Sequence, residues 1–427
     1  MRRYPTAPRA LATLAILLLA YIVSFLDRQI LALMVNPIRA DLNISDFQVS
    51  LLQGLAFALF FSMMGIPIGR LADRYNRIYI IATGILFWSL MTALCGLANS
   101  FLALFVFRMG VGIGEAALAP AGYSVLGDSF PPDKLVRATS LFGQGTTLGA
   151  GLSLLVGGQV IEYFERLKAA PFGVELAPWQ LTFLAVGLPG IMVAGLVLLI
   201  REPERQGRSS MSDINFTAAL ASFWRMRATL APLYICGTLL SIVNFGAVTW
   251  FPTHLTRNFG LTPGEIGLKL GLIHLGGGLL GATLGALFTE RLIRSGAHEP
   301  YLRTVFIVAS LIACFMITPL LGNLGLVTIL WFFAVTVQGA YSGSVMAAIQ
   351  VTVPNELRGL STALLLVMSS LGGLALGSAL IGGASQLFFP DDPAGVGKAF
   401  TLVGVTCAAS SAFIAWYRLR SRATRQT

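Results

Sequence analysis

Charged residues are scarce in this sequence: Asp, Glu, Lys and Arg make up 11% of the 427 residues, whereas soluble domains contain about 25%. Hydrophobic residues make up 56%, and they occur in runs that are too long for a soluble or disordered chain. Both of these classes are therefore excluded. The composition predicts an integral membrane protein.

The sequence also contains little that would build a catalytic or metal site. Its four cysteines lie within apolar stretches and form no Cys-x-x-Cys pair, so neither a disulfide framework nor a metal site is expected. The HExxH and GxSxG motifs of hydrolases are missing, so an intramembrane hydrolase is kept only as an alternative from another class. Gly110, Gly112 and Gly114 lie in an apolar segment and predict a helix-packing surface instead of nucleotide binding. We expect no enzyme and no cofactor.

Twelve apolar segments are each long enough to cross a membrane, which takes about 20 residues at ~1.5 Å per residue. Their apolar runs are continuous, as in membrane-spanning helices. We therefore predict an all-α membrane protein with twelve transmembrane helices. The segments are 11–35, 47–70, 78–98, 101–127, 136–161, 179–200, 230–252, 265–289, 302–321, 325–350, 359–386 and 397–417.

The basic residues are distributed unequally between the two sides of the predicted membrane. Twenty-one of the 29 Lys and Arg residues fall on the side of the two termini and six on the opposite side. This positive-inside asymmetry predicts that both termini are cytoplasmic. It also explains the net charge of +10 without a nucleic-acid partner. We expect a multi-pass protein of the cell membrane, and the short loops and excess of Arg over Lys favour a bacterial inner membrane.

Two halves of the chain show a weak internal repeat. Capping-box sequences begin the second and eighth spans at Ser45 and Thr262, and a Pro-x-x-Leu pattern begins the fifth and eleventh spans at Pro132 and Pro354. Two related halves with a site at their interface are typical of transporters that work by a rocking motion. The predicted domains are an N-terminal bundle at 1–200, a cytoplasmic linker at 201–229 and a C-terminal bundle at 230–427.

The sequence Gly69-x-Leu71-Ala72-Asp73-Arg74-x-x-Arg77 follows the second span. It resembles the signature of the major facilitator superfamily, although Asn76 stands where that signature usually has Gly. The resemblance implies two pseudo-symmetric six-helix bundles that transport by alternating access. We expect Gly69 to allow close helix approach and Asp73 to pair with Arg77 or Arg137. The predicted conformational latch consists of Gly69, Asp73, Arg74, Arg77 and Arg137.

Two further motifs resemble the Spinster family of this superfamily. Phe25-Leu26-Asp27-Arg28 lies in the first span, and Arg108-Met-Gly-Val-Gly-Ile-Gly-Glu115-Ala116 lies in the fourth. Animal members of the family are associated with sphingosine phosphate and lysolipids. The resemblance therefore implies an amphipathic anionic substrate.

Four ionisable residues lie inside these two spans: Asp27, Arg28, Arg108 and Glu115. Each costs about 2.5–3.5 kcal/mol at mid-membrane unless it is paired or hydrated. Asp27 and Arg108 lie at similar depth, and Glu115 follows Arg108 by two helical turns without a clear cation of its own. We predict that Asp27 and Glu115 carry protons while Arg108 and Arg28 bind the anion. A purely structural Asp27–Arg108 pair, and an Arg28 that snorkels to the lipid headgroups, remain alternatives.

The second half has no matching charges within its spans. Its candidate substrate-binding residues are Asn244, Gln338 and Tyr341. We predict a monomeric, proton-coupled secondary transporter of an amphipathic organic anion, driven by the proton gradient. Proton-coupled transport or uniport of a small organic acid or drug-like solute is the alternative. A channel is disfavoured because the two-half repeat suits rocking around a site.

Overall fold

The computed structural model describes residues 4–167, 176–205, 216–354 and 357–423. Every regular element in these ranges is a helix. The first half contains α1 (Ala7–Leu33), α2 (Val35–Leu42), α3 (Asp46–Ser50), a π-helical turn (Leu51–Leu55), α4 (Ala56–Arg74), α5 (Arg77–Cys95), α6 (Phe101–Glu115), α7 (Leu118–Ser129), α8 (Pro132–Gly143), α9 (Gly145–Arg166) and α10 (Pro178–Leu198).

The second half contains a comparable series of helices, two of which are interrupted. They are α11 (Phe216–Phe259), α12 (Pro263–Arg294), α13 (Pro300–Phe315), a 3-10 turn (Thr318–Leu320), α14 (Leu324–Thr352), α15 (Arg358–Val367), a π-helical segment (Met368–Leu376), α16 (Gly377–Phe388) and α17 (Gly395–Ala423). π-Helical turns within α-helices are often found at functional sites.

Within the described ranges, eleven helical stretches are long and apolar enough to cross a membrane. The predicted span at 136–161 is the exception, because it is divided at Gln144 into α8 and α9. Five glycines and Gln159 also dilute the apolar character of α9. The prediction of an all-helical, multi-pass membrane protein is confirmed.

Both predicted capping boxes are present. The Ser45 hydroxyl accepts a hydrogen bond from the backbone N–H of Gln48 at 3.2 Å, and the Gln48 side chain accepts one from Ser45 N–H at 2.9 Å. Thr262 and Glu265 make the same reciprocal pair at 3.3 and 2.9 Å. These bonds satisfy N–H groups that a helix start otherwise leaves without partners.

The contacts divide the chain into two compact units. Unit 1 comprises residues 1–208 and 260–271, and unit 2 comprises residues 209–259 and 272–427. The predicted domain bounds stay a prediction, because residues 206–215 of the linker at 201–229 lie outside the described residues. Helix α11 begins at Phe216, within that predicted linker.

Unit 1 is held together by close helix contacts at small residues. α5 packs against α6 and α10, and α1 packs against α9. A Cβ at Gly112 would lie 2.6 Å from the carbonyl oxygen of Phe57, and one at Gly114 would lie 2.8 Å from that of Gly84. These approaches confirm that the glycine series in α6 is a packing surface.

Unit 2 is built around α11, which packs against α14, α16 and α17. The fully buried Trp250 and Trp331 lie in its core, and Phe251 stacks on Trp331 with ring centroids 3.6 Å apart. A Cβ at Gly281 would lie 2.0 Å from the Thr336 carbonyl oxygen, so α12 and α14 touch through their backbones.

Candidate functional site

The four intramembrane charges of unit 1 lie together, but their pairing differs from the expected one. The Arg28 side chain on α1 donates from Nε to Glu115 Oε2 on α6 at 2.6 Å and forms an ion pair with the same oxygen. The Glu115 side chain is fully buried, and that of Arg28 is 22% exposed. The expectation that Glu115 lacks a clear cation was therefore wrong.

Three phenylalanine rings surround the guanidinium of Arg28. Its Cζ lies 4.8 Å from the ring centroid of Phe25, 4.6 Å from that of Phe57 and 5.0 Å from that of Phe61. Cation–π contacts at these distances favour a charged guanidinium where water is scarce. Arg28 therefore points into unit 1, and the alternative that it snorkels to the lipid headgroups was wrong for this structure.

Arg108 and Asp27 lie in contact without forming the expected carboxylate–guanidinium pair. Arg108 Nη1 donates to the main-chain carbonyl oxygen of Asp27 at 3.0 Å, and both residues are 1% exposed. Among the described residues, Asp27 Oδ1, Arg108 Nε and Glu115 Oε1 have no hydrogen-bond partner. A buried polar atom left in this state costs about 1–3 kcal/mol, so the two carboxylate oxygens are suited to take up a proton and Arg108 Nε is suited to donate to a ligand.

Unit 2 contains a neutral polar cluster in the middle of its spans. Ser241 Oγ lies 3.3 Å from Tyr341 Oη and donates to Ser369 Oγ at 3.1 Å. Gln338 is 5% exposed, and its Nε2 has no partner in the described part of the chain. Asn244 is half-buried on α11.

Tyr341, Gln338 and Asn244 were predicted from the sequence, whereas Ser241 and Ser369 were not. Single serines in apolar helices are common and carry no motif. One sequence feature could have indicated these serines: the glycine pair Gly372 and Gly373. It lets the π-helical segment pack closely against α11 at Ser241.

At the end of unit 1 that carries the N-terminus, Arg77 binds acidic residues other than the expected Asp73. Its Nη1 lies 2.5 Å from Asp128 Oδ2, and its Nε donates to Glu202 Oε1 at 2.8 Å. Nη1 also donates to the hydroxyl of Ser124 at 2.9 Å. The expected Asp73–Arg77 pair was therefore wrong. Arg77 is 1% exposed, so its charge is neutralised by two carboxylates inside the protein.

Three of the other four predicted latch residues are exposed. Asp73, Arg74 and Arg137 have exposed side chains, and the Asp73 side chain contacts no partner among the described residues. A Cβ at Gly69 would meet no described atom within 4 Å, so the expected close helix approach at Gly69 was wrong for this structure. Asn76 explains the departure from the signature, because its side chain accepts from the N–H groups of Ile78 and Tyr79 and caps α5.

Arg205 belongs to this region too, although it falls within the predicted linker at 201–229. Its guanidinium donates to the carbonyl oxygens of Ala72 at 2.9 Å, Tyr75 at 2.6 Å and Asp73. These carbonyls lie in and just beyond the last turn of α4, where a cation is favoured by the helix dipole. The charge-rich sequence at 201–205 could have indicated that Arg205 has a structural role.

Comparison with known proteins agrees with this architecture. The family model described as Major Facilitator Superfamily matches residues 17–377. An MFS-type efflux pump of Mycolicibacterium smegmatis is 25% identical over 411 residues, which cover 96% of this chain and 92% of that protein. Protein spinster of Drosophila melanogaster is 26% identical over 293 residues, which cover 66% of this chain but 46% of that protein.

A solved structure supports the same relationship. The crystal structure of a bacterial homolog of the human lysosomal transporter Spinster, in an inward-facing and occupied conformation, has a TM-score of 0.82 and 26% identity. The alignment covers 97% of this chain and 98% of that one. The predicted twelve-helix fold and the resemblance to Spinster are thereby confirmed. The chain belongs to the Major Facilitator Superfamily and is a membrane transporter that resembles Spinster, not an enzyme.

Proposed function

We propose that the protein is a proton-coupled transporter of an amphipathic organic anion, working by alternating access. The observation that carries the proposal is the Arg28–Glu115 ion pair, whose glutamate is fully buried and which lies beside Asp27 and Arg108 within the membrane-spanning part of unit 1. In a permanent structural ion pair we expect every buried polar atom to have a hydrogen-bond partner, but three atoms of this cluster lack partners among the described residues. That surplus favours a site that exchanges partners.

The proposed cycle is an exchange of partners at Arg28. When Glu115 takes up a proton, Arg28 loses its counter-ion, and the guanidinium becomes available to an anionic headgroup. Arg108 Nε, which has no partner in the described structure, is a second donor for the same group. Departure of the anion restores the Arg28–Glu115 pair and releases the proton. Asp27 is the second proton-binding group in this scheme, and the proton gradient supplies the driving force.

The amphipathic character of the substrate is supported by the difference between the two units. The charged cluster lies in unit 1, whereas the polar groups at the middle of the unit 2 spans are the neutral Ser241, Tyr341 and Ser369. We propose that Asn244, Gln338 and Tyr341 contact the uncharged part of the substrate. The resemblance to Spinster favours a sphingosine-phosphate-like or lysolipid molecule.

A drug-like solute or small organic acid is the second candidate. It is favoured by the similarity to an efflux pump over nearly the whole chain. The same arginines would bind its anionic group, and neutral polar groups of unit 2 would bind the rest.

Reconstitution into liposomes with an imposed pH gradient tests the proposal. Labelled lysophospholipid and sphingosine phosphate are compared with small carboxylates at equal concentration. We expect saturable uptake of the lipid anions that collapses when the gradient is dissipated. Flux that does not depend on the pH gradient would refute proton coupling. Uptake of the small carboxylates alone would show that the substrate is a small organic acid and not a lipid anion.

We further propose that the protein is a monomer of a bacterial inner membrane with both termini in the cytoplasm. The unequal distribution of basic residues supports this orientation. Impermeant thiol labelling of a cysteine added after Thr427 checks it in intact cells. Labelling without permeabilisation would reverse the orientation.

A further inference from the structure

A cavity of about 530 Å³ opens at the end of unit 1 that carries the N-terminus. Its lining comes from the start of α1 and the two residues Tyr4 and Pro5 before it, from Ser129 at the end of α7 and from residues 199–204, which follow α10. The volume lies within the range of about 300–1,000 Å³ that is usual for small-molecule sites. The cavity is separate from the Arg28–Glu115 cluster, and transport as proposed above does not use it.

Four charged residues line this cavity, and three of them have no ion-pair partner among the described residues. Arg9 and Arg201 line it, and in the described part of the chain neither guanidinium has a hydrogen bond or ion pair. Glu204 also lines it and is likewise unpaired, whereas Glu202 is bound to the buried Arg77. The available groups are therefore two cations and one anion, which leaves an excess of positive charge.

The helix start beside the cavity adds to this excess. α1 begins at Ala7 without a side-chain cap and without an acidic residue in its first turn. The N-terminus of a helix carries a partial positive charge and free N–H groups. The ligand that this electrostatic environment selects is an anion.

The apolar part of the lining indicates which anion. Ala12 and Ile16 of α1 continue the cavity along the helix, and Leu199, which is 75% exposed, lies at its other side. α1 and α10 are membrane-spanning helices, so the ends that form the cavity lie at the level of the lipid headgroups. A ligand that fits both parts has an anionic head and a hydrocarbon chain and comes from the membrane itself.

We propose that this cavity binds an anionic phospholipid, with the phosphate held by Arg9 and Arg201 and an acyl chain lying along Ile16 and Leu199. Glu204 opposes the negative headgroup and limits the affinity. Because residues 202 and 205 of the same segment bind Arg77 and the end of α4, the bound lipid braces the loop between α4 and α5.

Native mass spectrometry of the full-length protein tests this assignment. Phosphatidylglycerol and phosphatidylcholine with identical chains are titrated, and wild type is expected to prefer phosphatidylglycerol. An arginine near an anionic lipid contributes about 1 kcal/mol, so Arg9→Gln and Arg201→Gln should each weaken phosphatidylglycerol binding roughly fivefold. Glu204→Gln should strengthen it. Arg225→Gln removes an exposed arginine of unit 2 that has no partner among the described residues, and it is the matched control for charge.

Several outcomes would overturn the proposal. Equal binding of the two lipids to wild type would remove the headgroup preference. Phosphatidylglycerol binding that Arg225→Gln weakens as much as Arg9→Gln and Arg201→Gln would reduce the effect to net charge. Displacement of the lipid by inorganic phosphate would assign the site to a free anion. Glu204→Gln tests the proposal even if an arginine variant fails to fold, because it is expected to bind phosphatidylglycerol more tightly than wild type. Unchanged or weaker binding in Glu204→Gln would contradict the proposal.

Discussion

Glu202 binds Arg77 twice, once at its backbone and once at its side chain, across 125 residues of sequence. Glu202 Oε2 accepts from the Arg77 N–H at 3.0 Å, and Oε1 accepts from Arg77 Nε at 2.8 Å. One carboxylate thus caps the N-terminus of α5 and neutralises a guanidinium that is buried there. The segment after α10 is therefore part of the structure of unit 1.

Removal of the Arg77 charge should destabilise unit 1 strongly. Arg77→Gln removes the guanidinium that pairs with both Asp128 and Glu202, and loss of one member of a buried ion pair costs about 3–5 kcal/mol. We expect a clear fall in the thermal unfolding temperature in detergent. Arg70→Gln, which changes an exposed arginine of α4, is the control. Equal melting of the two variants would show that the buried pairs contribute no net stability.

The spans were predictable from sequence, whereas the partners of the charges were not. A helix of the required length and apolarity can be predicted from its own residues, so α1, α6 and α10 lie near their predicted positions. Whether Arg28 or Arg108 meets Glu115 depends on how two distant helices are rotated about their axes. The spacing of residues along one helix does not determine how that helix is rotated relative to another. Arg77 is a similar case, because Asp128 and Glu202 come to it from two other helix ends.

Gly69 shows a different kind of error. The glycine was interpreted as a contact point because of the motif that contains it, but no described atom lies within 4 Å of the position that a Cβ would take there. A motif records what a residue does in some state of a protein, whereas one structure records one state. The Asp73 side chain, which is exposed and unpaired among the described residues, is explained in the same way.

Asp73→Asn should change the balance of conformations without changing the stability of the form described above. Its carboxylate has no partner within the described residues, so its neutralisation costs nothing here. If the carboxylate binds in another state of the transport cycle, that state loses population in the variant. Spin labels, one in each unit, should report a shifted distance distribution. An unchanged distribution would remove Asp73 from the latch.

Glu115→Gln should abolish the response of transport to a pH gradient. The amide keeps the size of the carboxyl and its contact with Arg28, but it does not take up a proton between pH 5 and 8. We expect flux at equal pH on both sides to persist while gradient-driven accumulation disappears. Glu290→Gln, which alters a 56% exposed glutamate paired with Arg294, should behave as wild type. Gradient-driven accumulation that survives in Glu115→Gln would exclude Glu115 from proton coupling.

Arg108→Gln should weaken binding of the anionic substrate by about tenfold or more, because a hydrogen bond to a charged group contributes about 1.5–3 kcal/mol. Glutamine is shorter than arginine, so the hydrogen bond from Arg108 Nη1 to the carbonyl oxygen of Asp27 is lost together with the charge. Isothermal titration with the transported anion and with an uncharged analogue separates the two effects. A loss of affinity for both ligands alike would indicate a packing defect, and no loss for the anion would place the headgroup elsewhere.

Tyr341→Phe should raise the KM for transport with little change in the maximal rate. The phenol lies 3.3 Å from Ser241 Oγ, and the adjacent Gln338 carries an amide nitrogen without a partner in the described structure. Loss of a hydrogen bond worth about 0.5–1.5 kcal/mol corresponds to a KM about twofold to tenfold higher. Tyr234→Phe is the matched control, because its hydroxyl is also buried in unit 2 and donates to the carbonyl oxygen of Ser361 at 3.1 Å. Both variants lose one buried hydrogen bond and should melt alike, so a KM that rises in Tyr341→Phe alone identifies a contact with the substrate. A KM that rises equally in both would reduce the effect to packing.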